Sequence, residues 1–169
     1  LQALHRRVSE RAAQSRDGQS LYFYSNRPGG LGGYDIWVSR RKAGGWGAPT
    51  NLGATVNSEY NEYSPGIADD GKRLYFSSNR AKRELSAEEK EAWQATLREN
   101  FYASDYDIFS ATRKDDCPAC FHEAQRVDVL NSPADEGQAV ITPRGDFVYF
   151  SSNRAGGHAP QIAQRIKVR

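Results

Sequence analysis

The sequence predicts an all-β fold, a partial β-propeller of about three four-stranded antiparallel blades with one inserted α-helix, from three observations: an internal repeat, period-two alternation inside each copy, and a glycine turn between paired strands. The copies read DGQSLYFYSNR at 17–27, DGKRLYFSSNR at 70–80 and RGDFVYFSSNR at 144–154. Their shared glycines, Gly18, Gly71 and Gly145, stand 53 and 74 residues apart. The excess in the second interval is an insertion, AKRELSAEEKEAWQATLRENFYAS, which no other copy has.

Leu74, Phe76 and Ser78 alternate with Tyr75, Ser77 and Asn79 in a segment rich in aromatics, which is a strand signal. The turn before it needs a residue that accepts positive φ, and glycine does so without steric cost. A strand is predicted ahead of each turn, over 63–68 and 137–142, but RRVSERAAQS ahead of the first turn has neither alternation nor β-formers. After each SNR comes a further strand, YDIWVSRR from Tyr34 and YDIFSATR from Tyr106, degraded to QIAQRIKV from Gln161. Short outer strands at APTNLG and EAQRVDV complete each unit of four. Within the insertion, Ser86 followed by Glu89 makes a capping box and helix-forming residues follow, so a helix is predicted from about Ala87 to Glu99 with Trp93 and Leu97 on one face. The chain reads as one partial propeller over 1–169: blade 1 at about 1–52, blade 2 at about 53–129 with the helical insertion 84–104, and blade 3 at about 130–169.

The runs LYFYSNRPGGLGGYDIWVSRR, GGWGAPTNLGATVNSEYNEYSPGIADDGKRLYFSSNR and VYFSSNRAGG resemble the WD40-like β-propeller repeat family, PD40, related to the TolB propeller. The resemblance runs from about Asp17 to Gly157, interrupted by the insertion. It implies a bacterial, periplasmic or otherwise extracytoplasmic protein that makes protein contacts at the envelope. Fewer than three full blades leave open edges, and unpaired strand edges with apolar faces associate. Three completions are open: a longer propeller from which this chain is cut, two copies forming a six-bladed ring, or another subunit as a cap. The chain has no Met, even at position 1, which reads as a processed product or an excised fragment.

Composition narrows the partners. With 23 Lys and Arg against 21 Asp and Glu, the net charge of +2 offers no broad footprint for a nucleic-acid backbone, and no apolar run is long enough to span a membrane. The expected partner is another protein subunit or a second copy. Asn57, Glu62, Asn131 and Glu136 recur at an offset of 74 at the start of predicted inner strands, where propellers gather residues toward a channel mouth, and are candidates for partner contact. Trp93 and Leu97 on the inserted helix are the other candidates, as an anchor for a partner or a staple onto the blade. Arg27, Arg80 and Arg154 either present cations to a partner or pack their stems over a neighbouring blade's aromatics, with the SNR asparagine capping a turn. Recurrence with the repeat favours the second use. Asp35 and Asp107 are expected to accept N–H groups from the preceding loop, and Tyr34 and Tyr106 to pack between blades.

Cys117 and Cys120 form a single CPAC with His122 nearby, too few ligands for structural zinc, and a local disulfide or a reduced pair are both open. No cofactor or metal is expected. Two alternatives compete with a non-catalytic interaction module. A propeller hydrolase or lyase acting on saccharides or peptides would use Glu62 and Glu136, which have no neighbouring histidine or nucleophile motif. A glycan- or small-ligand-binding propeller would use Trp37, Trp46 and the tyrosines as stacking surfaces.

Overall fold

The computed structural model describes residues 12–68, 70–80, 86–89, 91, 106–114, 117–142, 147–155 and, for the backbone, 164–167. The described strands form three antiparallel sheets that follow the chain in order. The first holds β1 (Ala12–Gln14), β2 (Ser20–Ser25), β3 (Asp35–Lys42) and β4 (Gly45–Trp46) in that order, with β5 (Thr50–Asn51) also on β3. The second is β6 (Glu62–Ile67), β7 (Arg73–Ser78), β8 (Asp107–Thr112) and β9 (Gln125–Arg126). The third is β10 (Glu136–Ile141), β11 (Phe147–Ser152) and β12 (Gln164–Lys167). The all-β partial propeller expected from the repeat is therefore the observed architecture, and the sheets are called blades 1, 2 and 3 below.

One expectation fails at the first blade. RRVSERAAQS was expected to hold no strand, yet Ala12–Gln14 pairs with β2 in the register Ala12↔Phe23, Ala13↔Tyr22 and Gln14↔Leu21. The turn explains it: the Asp17 carboxylate accepts from the Gln19 N–H and the Ser15 hydroxyl, and Gly18 takes φ 69°. That turn fixes the register, and ladder hydrogen bonds then outweigh the weak β-propensity of alanine.

The core lies between blades. Tyr22, Tyr24, Ile36 and Val38 of blade 1 meet Ile67, Leu74, Phe76 and Phe109 of blade 2, all below a tenth exposed. Tyr75 and Ile108 on the other face of blade 2 meet Ala139, Val148 and Phe150 of blade 3. Alternation along each strand sends successive side chains to opposite faces, so blade 2 needs apolar residues on both. Each buried large side chain contributes about 1.5–3 kcal/mol relative to exposure, so the sheets stabilise one another far more than any stabilises itself.

In both β6 and β10 the register shifts by a bulge, between Tyr63 and Gly66 and between Gly137 and Val140. Ser64 and Gln138 sit in these bulges at φ 49° and 54°, a region costly for residues with a side chain. The inserted segment leaves between β7 and β8. Its capping box is formed, with the Ser86 N–H donating to Glu89 Oε2 at 2.9 Å and the Glu89 N–H to Ser86 Oγ at 3.2 Å, and residues 87–89 and 91 are helical. Trp93 and Leu97 lie outside the described residues.

Candidate functional site

The recurrent residues converge on the joints between blades. Ahead of β6, the loop carrying Asn57 reaches back to the YDI strand of blade 1. The Ile36 N–H donates to Asn57 Oδ1 at 2.7 Å, and Asn57 Nδ2 donates to the Ile36 carbonyl at 3.0 Å. Ile108 and Asn131 repeat this pair at 2.7 and 2.8 Å one blade later. A carboxamide carries one acceptor and donors in the geometry of a peptide group, so each asparagine substitutes for a strand where none fits. Backbone bonds continue the seam, from the Glu62 N–H to the Tyr34 carbonyl at 2.7 Å and from the Glu136 N–H to the Tyr106 carbonyl at 2.8 Å.

Glu62 and Glu136 are completely buried. Glu62 Oε1 accepts from Ser58 Oγ at 2.6 Å, Ser78 Oγ at 2.8 Å and Arg80 Nη2 at 3.2 Å, and Oε2 accepts from the Ser58 N–H at 3.0 Å. Glu136 makes the same set with Ser132, Ser152 and Arg154, the arginine at 2.9 Å. Burial alone would raise the pKa of Glu136, but bonds from Ser132, Ser152 and Arg154 outweigh it and hold the carboxyl below its ordinary value. Each arginine also donates to a loop carbonyl, Arg80 to Val56 at 2.6 Å and Arg154 to Leu130 at 2.7 Å.

The arginine stems pack differently from the expectation. Arg80 lies over Phe76 and Phe109, and Arg27 over Phe23 and Trp37, in each case the aromatics of its own blade rather than of a neighbour. For Arg80 the reason is reach: held by Ser78 two residues back and by the buried Glu62 of the same sheet, it has no length left to cross the joint. The SNR asparagines likewise bond across their own blade rather than capping a turn, with Asn79 Oδ1 accepting the Asn61 N–H at 3.0 Å and Asn153 Oδ1 accepting the Asp135 N–H at 2.8 Å.

Asp35 and Asp107 differ in the side chains that face them. Asp35 Oδ2 accepts the Leu31 N–H at 2.8 Å as expected, and a side chain at Gly30 would collide with that carboxylate. Asp107 is gripped by Arg126, at 2.8 and 3.0 Å, a partner that the repeat did not suggest because the matching ladder position of blade 1 holds Asn51. Without an arginine, Asp35 is pushed up to about 6, by burial first and by the nearby Glu62 charge, against the pull of the Leu31 N–H. Tyr34 and Tyr106 do pack at the joints, in a run of rings from Tyr24 and Tyr34 through Tyr63 to Tyr106 with centroids 5.0 to 5.8 Å apart.

Of the aromatics considered for glycan stacking, Trp37 is buried beneath Arg27 and donates its indole N–H to the Ser25 carbonyl, while Arg41 lies over the half-buried Trp46. The structure therefore gathers Asn57 with Glu62 at one joint and Asn131 with Glu136 at the next. Cys117 and Cys120 form a disulfide in a turn whose Pro118 carbonyl accepts the Tyr22 hydroxyl of blade 1 at 3.0 Å. Among the described residues the exposed large apolar side chains are Leu31, Val129, Val140 and Tyr149, and the last two, 54% and 39% accessible, pair on the outer face of blade 3. Sequence reasoning missed these two, although both sit at repeat positions whose counterparts, Tyr75 and Gly66, face the next blade.

No protein-family model matches the chain, and no curated protein sequence does. Solved structures match by fold. TolB from Acinetobacter baumannii has a TM-score of 0.54 at 15% identity, covering 92% of this chain and 29% of that one. The TolB-type protein of Agrobacterium tumefaciens has a TM-score of 0.57 at 17% identity, covering 95% and 43%. The chain thus spans less than half the length of either, and its fold is that of a TolB-related β-propeller in part.

Two outcomes follow from this geometry. Glu62→Ala should lower unfolding stability by about 3 kcal/mol in urea titration, because it strands Arg80 and two serine hydroxyls inside the sheet; a loss below about 0.5 kcal/mol would reduce the network to the rank of a surface ion pair. Because the folded state binds the Asp35 proton more tightly than the unfolded state, its ionisation costs stability, which is lost as pH rises from the ordinary value of 3.8 through about 6 and stays lost above. Asp35→Asn keeps an acceptor for Leu31 and should remove that portion of the slope; parallel stability–pH curves for the two proteins would contradict the assignment.

Proposed function

We propose that this chain is a non-catalytic protein-interaction module of the bacterial envelope, a stretch of β-propeller that offers the outer face of blade 3 to another polypeptide. The observation that carries the reading is the contrast between Tyr75, 2% exposed under blade 3, and its repeat counterpart Tyr149, 39% exposed. An apolar sheet face of this kind is an association surface.

The envelope assignment rests on the resemblance of the repeats to the PD40 and TolB propellers, and the Cys117–Cys120 disulfide is consistent with an oxidising compartment. Among the described residues no helix is long and apolar enough to cross a membrane. The buried, fully bonded state of Glu62 and Glu136 speaks against a hydrolase or lyase that would use them, since a general acid or base must reach its substrate. Covered tryptophans speak in the same way against glycan stacking. The reading requires no cofactor or metal.

A photo-activated crosslinking residue at position 149, expressed in cells, should yield a discrete adduct with a polypeptide. The same residue at Ala43, exposed near the tip of the β3–β4 hairpin, should yield none. Equal labelling from the two positions, or none from 149, would remove the basis for an interaction face.

A further inference from the structure

We infer that the Cys117–Cys120 disulfide is a site of reversible thiol–disulfide exchange, and that its redox state sets how firmly blade 2 holds the glycine-turn end of blade 1. The inference goes beyond the interaction-module reading and does not depend on which surface meets a partner.

The pair closes the tip of a hairpin that follows β8. Its arms pair Arg113 with Phe121, the Lys114 N–H donates to the Cys120 carbonyl at 2.8 Å, and the His122 N–H donates to the Thr112 carbonyl at 2.8 Å. Blade 1 has the same hairpin after β3, where Arg41 pairs with Trp46 and the Gly47 N–H donates to the Arg40 carbonyl. Residues 114–120 lie between the paired positions in blade 2 against 42–45 in blade 1, so the blade 2 tip is longer, and the added length carries the cysteines.

The longer tip reaches across the joint. Tyr22 of β2 is fully buried, and its hydroxyl donates to the carbonyl of Pro118, between the two cysteines, at 3.0 Å. Phe121, 1% exposed, meets the Tyr22 ring edge to face with centroids 6.2 Å apart, and Ala119 packs against the same core. A phenol has one proton to donate, so this buried hydroxyl depends on where that carbonyl is held.

Two features separate this disulfide from a general staple. Its cysteines are three residues apart, so closing so short a loop removes little chain entropy from the unfolded state. Its effect is local, on the turn in which the Cys120 N–H donates to the Cys117 carbonyl at 3.1 Å and from which Pro118 meets Tyr22. Cys117 and Cys120 are also both partly exposed, unlike the buried Phe121 beside them, which leaves them open to attack by a thiolate.

The exchange partner is a dithiol. One of its thiolates attacks a sulfur of the pair, the Cys117–Cys120 bond breaks as a mixed disulfide forms, and the partner's second thiolate displaces it. The partner leaves as a disulfide, and Cys117 and Cys120 are left as thiols, having taken up two electrons and two protons together. Tyr22 then loses its fixed acceptor, and the glycine-turn end of blade 1 opens more often.

Native-state hydrogen exchange on the 169-residue chain, oxidised and in dithiothreitol, tests this. The Lys114 amide reports the tip, Ser39, buried opposite Leu21 in the β2–β3 ladder, reports blade 1, and Ile108 reports the joint with blade 3. Alkylation and intact mass should show two thiols released without denaturant. Reduction should then speed exchange at Ser39 on the order of five-fold relative to Ile108, the weight of one neutral hydrogen bond. The double variant Cys117→Ser with Cys120→Ser should match the reduced protein and ignore the dithiol, and Tyr22→Phe should bring Ser39 to the reduced rate while the disulfide is intact. Thiols released only in denaturant, faster exchange at Lys114 alone, or equal acceleration at Ser39 and Ile108 would each overturn the inference, the last by making the disulfide a plain staple.

Discussion

A carboxylate sealed from water must have its charge answered by the protein, and in this chain that requirement sits at the head of each inner strand. Glu62 has no accessible surface, so every lone pair it uses points at a protein donor: the Ser58 amide and hydroxyl from the loop, the Ser78 hydroxyl from the neighbouring strand, and Arg80. Because Arg80 is held there, its other bond fixes the Val56 carbonyl, and the loop between Val56 and Ser58 is left in one conformation. Asn57 lies in that loop. Its two bonds to Ile36 of the previous blade are therefore set by the carboxylate one strand away.

The same causal order explains why the motif reads as it does along the chain. The serine four residues ahead of the glutamate, the S-N-R after the paired strand and the asparagine ahead of the serine are parts of one device, present twice with distances that agree to within a few tenths of an ångström. Around it the aromatic layers do the bulk of the stabilising, since Tyr24, Phe76 and Tyr75 bury far more surface than the polar seam does. The polar seam instead decides register. A one-residue slip of β6 would turn Tyr63 and Ile67 away from blade 1 and leave Glu62 without its arginine.

Much of this was legible in the residues. Period-two alternation in LYFYSNR, LYFSSNR and VYFSSNR and the glycine turn ahead of each run specify the β2, β7 and β11 strands because both signals are local. The recurrence of Asn57, Glu62, Asn131 and Glu136 marked them as important, but recurrence does not separate a residue that faces a partner from one that faces its own sheet. Burial decides that, and burial depends on neighbours far along the chain. β1 was invisible because Ala12–Gln14 owes its strand geometry to pairing with β2 rather than to its side chains. The Arg126–Asp107 pair was invisible because the matching ladder position of blade 1 holds an uncharged residue, Asn51. Tyr149 and Val140 look like core residues in sequence, and only the absence of a described blade beyond them exposes their faces.

The central claim, that side-chain amides bolt each blade to the one before, is tested most directly by native-state hydrogen exchange at two backbone amides. The Ile36 and Ile108 N–H groups have asparagine side chains as acceptors, so they report the joints alone. The account predicts that both exchange only through global unfolding, with protection equal to that of the mid-strand Phe76 amide, and that Asn57→Ala lowers protection at Ile36 while leaving Ile108 unchanged. Rapid exchange at Ile36 and Ile108 in the unaltered protein, at the rate of exposed loop amides, would contradict it.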